Sequence, residues 1–208
     1  ARHHQVMKAV LLNSADKIQD SGDGLQLGMT RTLIDKQNQN WLDSDAYKDP
    51  NIPLDAQMGA GHLNAFRAYE QFSAGQWQPS AVVPAIGWDY RTVDFGASVD
   101  YILAKPLKQG SFVAITLSWD RLVELNDKNK NQQYDIGENF RDRGLNNLDL
   151  YLVKADAQNS DAGAVCSSIS QIDSVEHIFC PVPATGNYKI RVQFRQQVNQ
   201  ATQPYSLA

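Results

Sequence analysis

The stretch Tyr188–Arg195, YKIRVQFR, sets Tyr188, Ile190, Val192 and Phe194 against Lys189, Arg191, Gln193 and Arg195. Strict alternation places the two sets on opposite faces of an extended chain, which predicts a β-strand with one face on a core. The same period recurs upstream, where Val113, Ile115, Leu117 and Trp119 alternate with smaller or polar neighbours, as do Leu148, Leu150 and Leu152. Val99–Leu103, Val175–Phe179 and Tyr205–Leu207 are shorter, weaker versions of the pattern. Short strands divided by turn residues and free of helical periodicity predict a mostly β fold, an antiparallel jelly-roll-type β-sandwich over residues 89–208.

Residues 1–75 follow a different rule. In Gln5–Ile18, Met7, Leu11, Ala15 and Ile18 fall on one helical stripe with Val6 and Val10 beside it, predicting an amphipathic helix that ends in the turn-rich QDSGDG. A second helix starts at Asn64, an N-cap residue, with Ala65, Phe66, Tyr69 and Phe72 on its apolar side. The polar segment Asp20–Gln57 between them is long for a connection inside a compact domain, unless it is functional or packed on something larger. Two helices and a loop bury little by themselves, so this region is expected to pack on its neighbour or to be part of a larger domain. Residues 76–88, with Pro79 and Pro84 among small side chains, read as the linker.

Composition narrows the function classes. Of 208 residues 42% are hydrophobic and 20% charged, as in ordinary folded proteins, and the formal net charge is -4. A mildly acidic chain lacks the positive field that nucleic acids or anionic membranes require, so neither is expected as a partner. Cys166 and Cys180 flank a segment able to fold back as a hairpin; they form either a disulfide or two buried thiols.

One stretch carries ligand chemistry. Asp127–Glu138, DKNKNQQYDIGE, places Asp127, Asn129, Asn131, Asp135 and Glu138 at positions 1, 3, 5, 9 and 12 of an EF-hand-type calcium loop. Gln133 at position 7 would supply its backbone carbonyl, and Tyr134 takes the apolar position 8. Calcium takes six to eight oxygens, and alternate residues of a tight loop can point theirs inward while Glu138 closes the shell with both. Position 6 is Gln132 rather than Gly, so a sharp turn there requires a strained positive φ. The flanks look like strands, so the expected device is a calcium-stapled β-loop that adds stability. Other candidates are weaker. His3 and His4 are adjacent, His62 and His177 suit packing, Ser14, Ser118 and Ser170 lack a nucleophile elbow, and Asp149 and Glu176 have no defined spacing.

Two segments resemble the end of the catalytic domain of subtilisin-like serine proteases. QVMKAVLLNSADKI resembles the helix after the catalytic serine, where V-K-x-x-L-x-x-[ST]-A is typical, through Val6, Lys8, Leu11, Ser14 and Ala15. GAGHLNAFRAY resembles the last strand-to-helix element, G-x-G-x-[LVI]-[ND]-A-x-x-A, through Gly59, Gly61, Leu63, Asn64, Ala65 and Ala68. The remainder is similar to the P-domain or pre-peptidase C-terminal sandwiches that follow many secreted subtilases, through LSWD, NNLDLYLV and ATGNYKIRV.

The resemblance implies a C-terminal fragment of a secreted or periplasmic serine endopeptidase, with an accessory sandwich for stability or substrate positioning. Its partners would be the missing N-terminal catalytic portion and, through the parent, protein or peptide substrates. It supplies no catalytic residue: no G-T-S-x-A is present, so the fragment alone is expected to be inert. The competing expectation is a carbohydrate- or protein-binding adhesion module, hinted at by Trp77, Trp88 and Tyr90.

Overall fold

The computed structural model describes residues 3–22, 27–79, 81–158 and 163–208. The chain is mostly β. One sheet has the order β1 (Asp89–Asp94), β10 (Thr202–Leu207), β3 (Phe112–Trp119), β8 (Val175–Pro181). The other has the order β2 (Ser98–Ile102), β9 (Tyr188–Gln196), β6 (Asn147–Lys154), β7 (Ala164–Ser168). All these pairings are antiparallel. Apart from the β6–β7 hairpin, successive strands of this set lie in opposite sheets, which is the jelly-roll wrapping. A two-stranded ribbon, β4 (Val123–Asn126) with β5 (Asn139–Asp142), projects from the β3–β6 crossover.

The alternation read from the sequence fills the space between the sheets. Leu117 and Trp119 meet Leu148, Leu150, Leu152, Ile190, Val192 and Phe194 there, with Tyr101 and Tyr205. Trp119 has its one polar atom satisfied, since its indole Nε1–H donates to Asn146 O at 2.8 Å. The residues between the core positions are buried as well. Asn147 to Val153 is buried without interruption, and in β8 so is Val175 to Phe179. Strands buried on both faces need a cover, and for the β1–β10–β3–β8 sheet the N-terminal region supplies it.

That cover begins with α1 (His4–Asn13), shorter than the predicted Gln5–Ile18. The helix stops because Asp16 leaves it to pair with His62, each donating its N–H to the other's carbonyl at 2.8 Å. The buried stripe also differs from the predicted one: Val6, Ala9 and Val10 are buried, while Met7 is 46% exposed and Leu11 39%. Val6, Ala9 and Val10 meet Ala68 of α3 (Ala65–Ser73) together with Trp88 and Ala208. Asn64 caps α3 as predicted, its side chain accepting the Arg67 N–H at 3.1 Å. Gly61, at φ +123°, lies so close to the pairing strand that an added Cβ would come 2.3 Å from Asp16 O. The long polar segment forms a 3-10 turn at Trp41–Asp43 and the short α2 (Asp45–Lys48), and it packs Met29, Trp41 and Met58 on Phe179 of β8. The segment read as a linker is also tied down: Trp77 and Val83 enter the sandwich core, and Val83 exchanges hydrogen bonds with Ile102 and Ala104 at 2.8 Å.

Cys166 and Cys180 form a disulfide joining the edge strands β7 and β8 of opposite sheets, with Cα atoms 6.7 Å apart. Replacing both by Ser is expected to remove about 3 kcal/mol, lowering the melting midpoint by roughly 6–12 °C. An unchanged midpoint under oxidising conditions would sink that expectation. Among the described residues no helix is long and apolar enough to cross a membrane.

Candidate functional site

The calcium-loop candidate is the whole connection between Asn126 and Asn139, the last pair of the β4–β5 ribbon. Asp127 organises its first half. Its Oδ1 accepts the Lys130 N–H at 2.6 Å and the Asn131 N–H at 3.3 Å, and its Oδ2 accepts the Gln132 N–H at 2.7 Å. The chain can curl this tightly only with positive φ at two non-glycine residues, Lys130 (61°) and Gln132 (64°). The sharp turn foreseen at position 6 is therefore present and is made by Gln132. Asn129 and Asn131 direct their side-chain amides to Asp135 Oδ2, at 2.6 and 2.7 Å. Glu138 reaches back over the loop, accepting the Lys128 N–H at 2.8 Å and the Asp135 N–H at 3.0 Å.

Asp127, Asn129, Asn131, Asp135 and Glu138 thus hold one small loop together, and Gln133 is fixed by its N–H to Asn131 Oδ1 at 2.8 Å. Among the described residues no three His, Cys, Asp or Glu side chains converge on a point. The three carboxylates of the loop do not form a cluster, and a cation there would need the two amides and the Gln133 carbonyl to complete its shell. Those donor types suit a hard cation such as calcium, and the loop's self-bonding occupies the same oxygens.

No hydrolytic centre assembles among the described residues. His62 is exposed and contributes only its backbone to the pairing with Asp16, His3 stacks on Tyr90 with ring centres 3.7 Å apart, and His4 bonds Asp120 at 2.8 Å. The hydroxyl of Ser14 donates to Val10 O at 2.8 Å, and that of Ser170 to Asp173 at 2.7 Å. Thr116 and His177 do make a hydroxyl–imidazole hydrogen bond of 2.7 Å, but both are buried on the covered face of the sheet. Asp149 and Glu176 are buried too, rather than flanking a cleft. Trp77 and Trp88, the aromatic hint of a glycan-binding face, are 4% and 9% exposed and belong to cores.

Sequence reading missed a buried polar centre under the N-terminal layer. Asp16 accepts from the Thr30 N–H (2.9 Å) and hydroxyl (2.7 Å), from Asn64 (3.0 Å) and from Arg67 (3.2 Å). Burial alone would raise its pKa; these donors outweigh burial and hold it below the usual carboxylate value. Beside it Lys17 is buried, with its Nζ 5.3 and 5.1 Å from the ring centres of Trp41 and Phe179. Burial, then the Arg67 charge, bring its pKa down to about 7, against the pull of Asp16. Burial and Lys17 likewise hold the His177 imidazole well below its ordinary value. The only sequence signal was the pair Asp16–Lys17 itself, which a helix reading turns toward solvent.

No family model matches the chain, and no curated protein matches it. Among solved structures, the crystal structure of Aeromonas hydrophila PliG, a periplasmic lysozyme inhibitor of g-type lysozyme, is similar over 58% of this chain and 80% of that chain. The identity is 18% and the TM-score 0.33, a likeness that carries neither fold nor function to this protein.

Proposed function

We propose that the chain is the C-terminal part of a secreted subtilisin-like serine endopeptidase: the tail of a catalytic domain packed on a calcium-stabilised accessory sandwich. The observation that supports this most is that the two segments carrying the resemblance form one unit. They meet through the Asp16–His62 pairing, through Arg67 Nη1 donating to Ser14 O at 3.1 Å, and through Asn13 donating to Gln71 at 3.1 Å. Gly61 and Asn64, both motif positions, are needed at that junction, Gly61 for close approach and Asn64 as cap and as donor to Asp16. The disulfide favours an oxidising compartment, which fits export to the periplasm or the outside.

In this reading the chain supplies scaffold and no chemistry. Cleavage of the peptide bond belongs to a Ser–His–Asp triad in the N-terminal portion, the partner of this chain, and protein substrates reach it there. The test is a product that includes the coding sequence upstream of Ala1. It should contain G-T-S-x-A, hydrolyse casein and react with a fluorophosphonate, while the 208-residue chain does neither. An upstream sequence without that motif would overturn the reading.

Calcium is the proposed cofactor, held by Asp127, Asn129, Asn131, Gln133, Asp135 and Glu138. At a hundredfold excess over Kd the ion would add about 2.7 kcal/mol, a rise of roughly 5–10 °C in melting midpoint if the loop unfolds with the domain. Asp127→Ala and Glu138→Ala should abolish the rise without lowering the midpoint measured in chelator by a similar amount. A midpoint that ignores calcium removes the proposal.

A further inference from the structure

The segment between α1 and α3 rests on β8 through side chains. Its Met29, Trp41 and Met58 pack on Phe179, and among the described residues the one hydrogen bond from residues 27–58 to the sandwich joins the Ile169 N–H to Pro50 O at 2.7 Å. The segment's other hydrogen bonds stay within the N-terminal region, as from Thr30 to Asp16 and from the Trp41 indole to Gly59 O. A unit attached by packing instead of strand pairing can open while the sheet stays folded.

Positive charge is poorly accommodated in that contact. Lys17 is 1% exposed, with its Nζ over the Trp41 ring of the segment and the Phe179 ring of the sheet. Its Nζ donates only to Ala15 O, at 3.3 Å, and no carboxylate pairs with it among the described residues. Asp16, the preceding residue, is committed to Thr30, Asn64 and Arg67. On the sheet side, His177 stands edge-on to Trp41, bonds Thr116 through Nδ1, and has no hydrogen-bond partner at Nε2 among the described residues. The titratable and charged groups around Lys17 are thus Asp16 on its own stretch, Arg67 of α3 and His177 of β8, with Tyr47 beside Trp41. Aromatic rings attract an ammonium but offset only part of its lost hydration, and an imidazolium next to it would be equally short of partners.

We propose that residues 27–58 form a pH-gated clasp on the outer face of β8, closed while Lys17 is an uncharged amine and released when Lys17, and then His177, take up protons. Release uncovers Trp41, Phe179 and His177. In the open clasp Lys17 meets water and has its ordinary value of 10.5, whereas burial and then Arg67 bring it to about 7 in the closed one. Between those values the open form holds the extra proton, so each unit of acidification favours opening about tenfold. Below pH 7 both forms are charged at Lys17. His177, held well below 6.5 by burial and by Lys17, then supplies the pH dependence as pH falls through 6.5. Glu176, whose raised value acts with the opposite sign, lies between the sheets and stays covered when the clasp opens. Clasp release and global unfolding therefore respond differently to pH. The inference does not rest on the protease reading.

The test is the labelling rate of a thiol placed under the clasp. Met29→Cys puts one at a position 2% exposed, in a chain whose two cysteines are joined in the disulfide. Its rate with dithionitrobenzoate, divided by that of a peptide thiol of the same local sequence at the same pH, gives the opening constant. That constant should rise about tenfold per unit from pH 9 to pH 7, and exceed the global unfolding constant obtained from urea titration. Adding Lys17→Met should flatten the slope over this range and leave the rise below pH 6.5; a packing role alone would move the level and not the slope. If Lys17→Met does not fold, Lys17→Arg decides. Arginine is charged in both forms, so the clasp should be more open at pH 9 and show no slope down to pH 7. A parent slope near zero, an unchanged slope in the variant, or an opening constant equal to that of global unfolding each overturns the proposal.

Discussion

Trp41→Ala is expected to cost about 3–5 kcal/mol and to lower the melting midpoint by on the order of 10 °C. Trp41 is 1% exposed and comes from the polar segment between the two N-terminal helices. It stands edge-on to Phe179 and His177 of β8, with ring centres 5.7 and 6.0 Å away, and edge-on to Tyr47 at 6.3 Å. Its indole N–H donates to Gly59 O at 3.1 Å, so truncation also orphans a polar partner beside the Gly59–Gly61 turn. The loss spans both halves of the molecule, because one wall of the cavity belongs to the N-terminal layer and the other to the sheet. Thermal unfolding followed by tryptophan fluorescence and circular dichroism is the measurement. A midpoint within about 2 °C of the parent would mean that the layer adds little to the fold.

Glu176→Gln is expected to gain on the parent as pH rises. Glu176 lies between the sheets at the β7–β8 edge, where its Oε2 accepts a hydrogen bond from Ser168 and its Oε1 has no close partner among the described residues. Burial, together with the nearby Asp149 charge and despite the Ser168 bond, pushes its pKa up to about 9 from an ordinary 4.5. A carboxyl raised in the folded state keeps its proton where the unfolded chain has lost it. Its contribution is therefore full below pH 4.5 and declines as pH rises toward 9, by about 1.4 kcal/mol for each unit. Gln does not titrate, so the stability difference between variant and parent should move by roughly 3 kcal/mol in the variant's favour between pH 4.5 and 7. His177 and Lys17, whose lowered values act with the opposite sign, are common to both proteins and cancel in the difference. Urea denaturation at the two pH values measures it. A difference that stays flat with pH would place Glu176 in contact with water.

Much of the sandwich was legible in advance because a half-buried strand must alternate. The positions Leu148, Leu150, Leu152, Ile190, Val192 and Phe194 are core in the sequence reading and core in the structure. The N-cap at Asn64 was legible for a similarly local reason, since its side chain reaches an N–H three residues on. The DKNKNQQYDIGE loop was readable too, including the awkward turn at Gln132, because loop geometry is set by neighbours in the chain. The burial of Lys17 was not legible, because it depends on Trp41 and Phe179, which come from a loop and a strand far away in sequence.

Local pattern therefore determined six of the eight sandwich strands, the two helices, the ligand-type loop and the pair of cysteines able to bridge. Tertiary structure decided where α1 stops, that the N-terminal layer completes the sandwich instead of trailing from it, and that Cys166 and Cys180 join opposite sheets. The physical reason is range. Periodicity, capping and turn strain are settled within a few residues, whereas burial and strand pairing are settled between segments that meet only once the chain has folded.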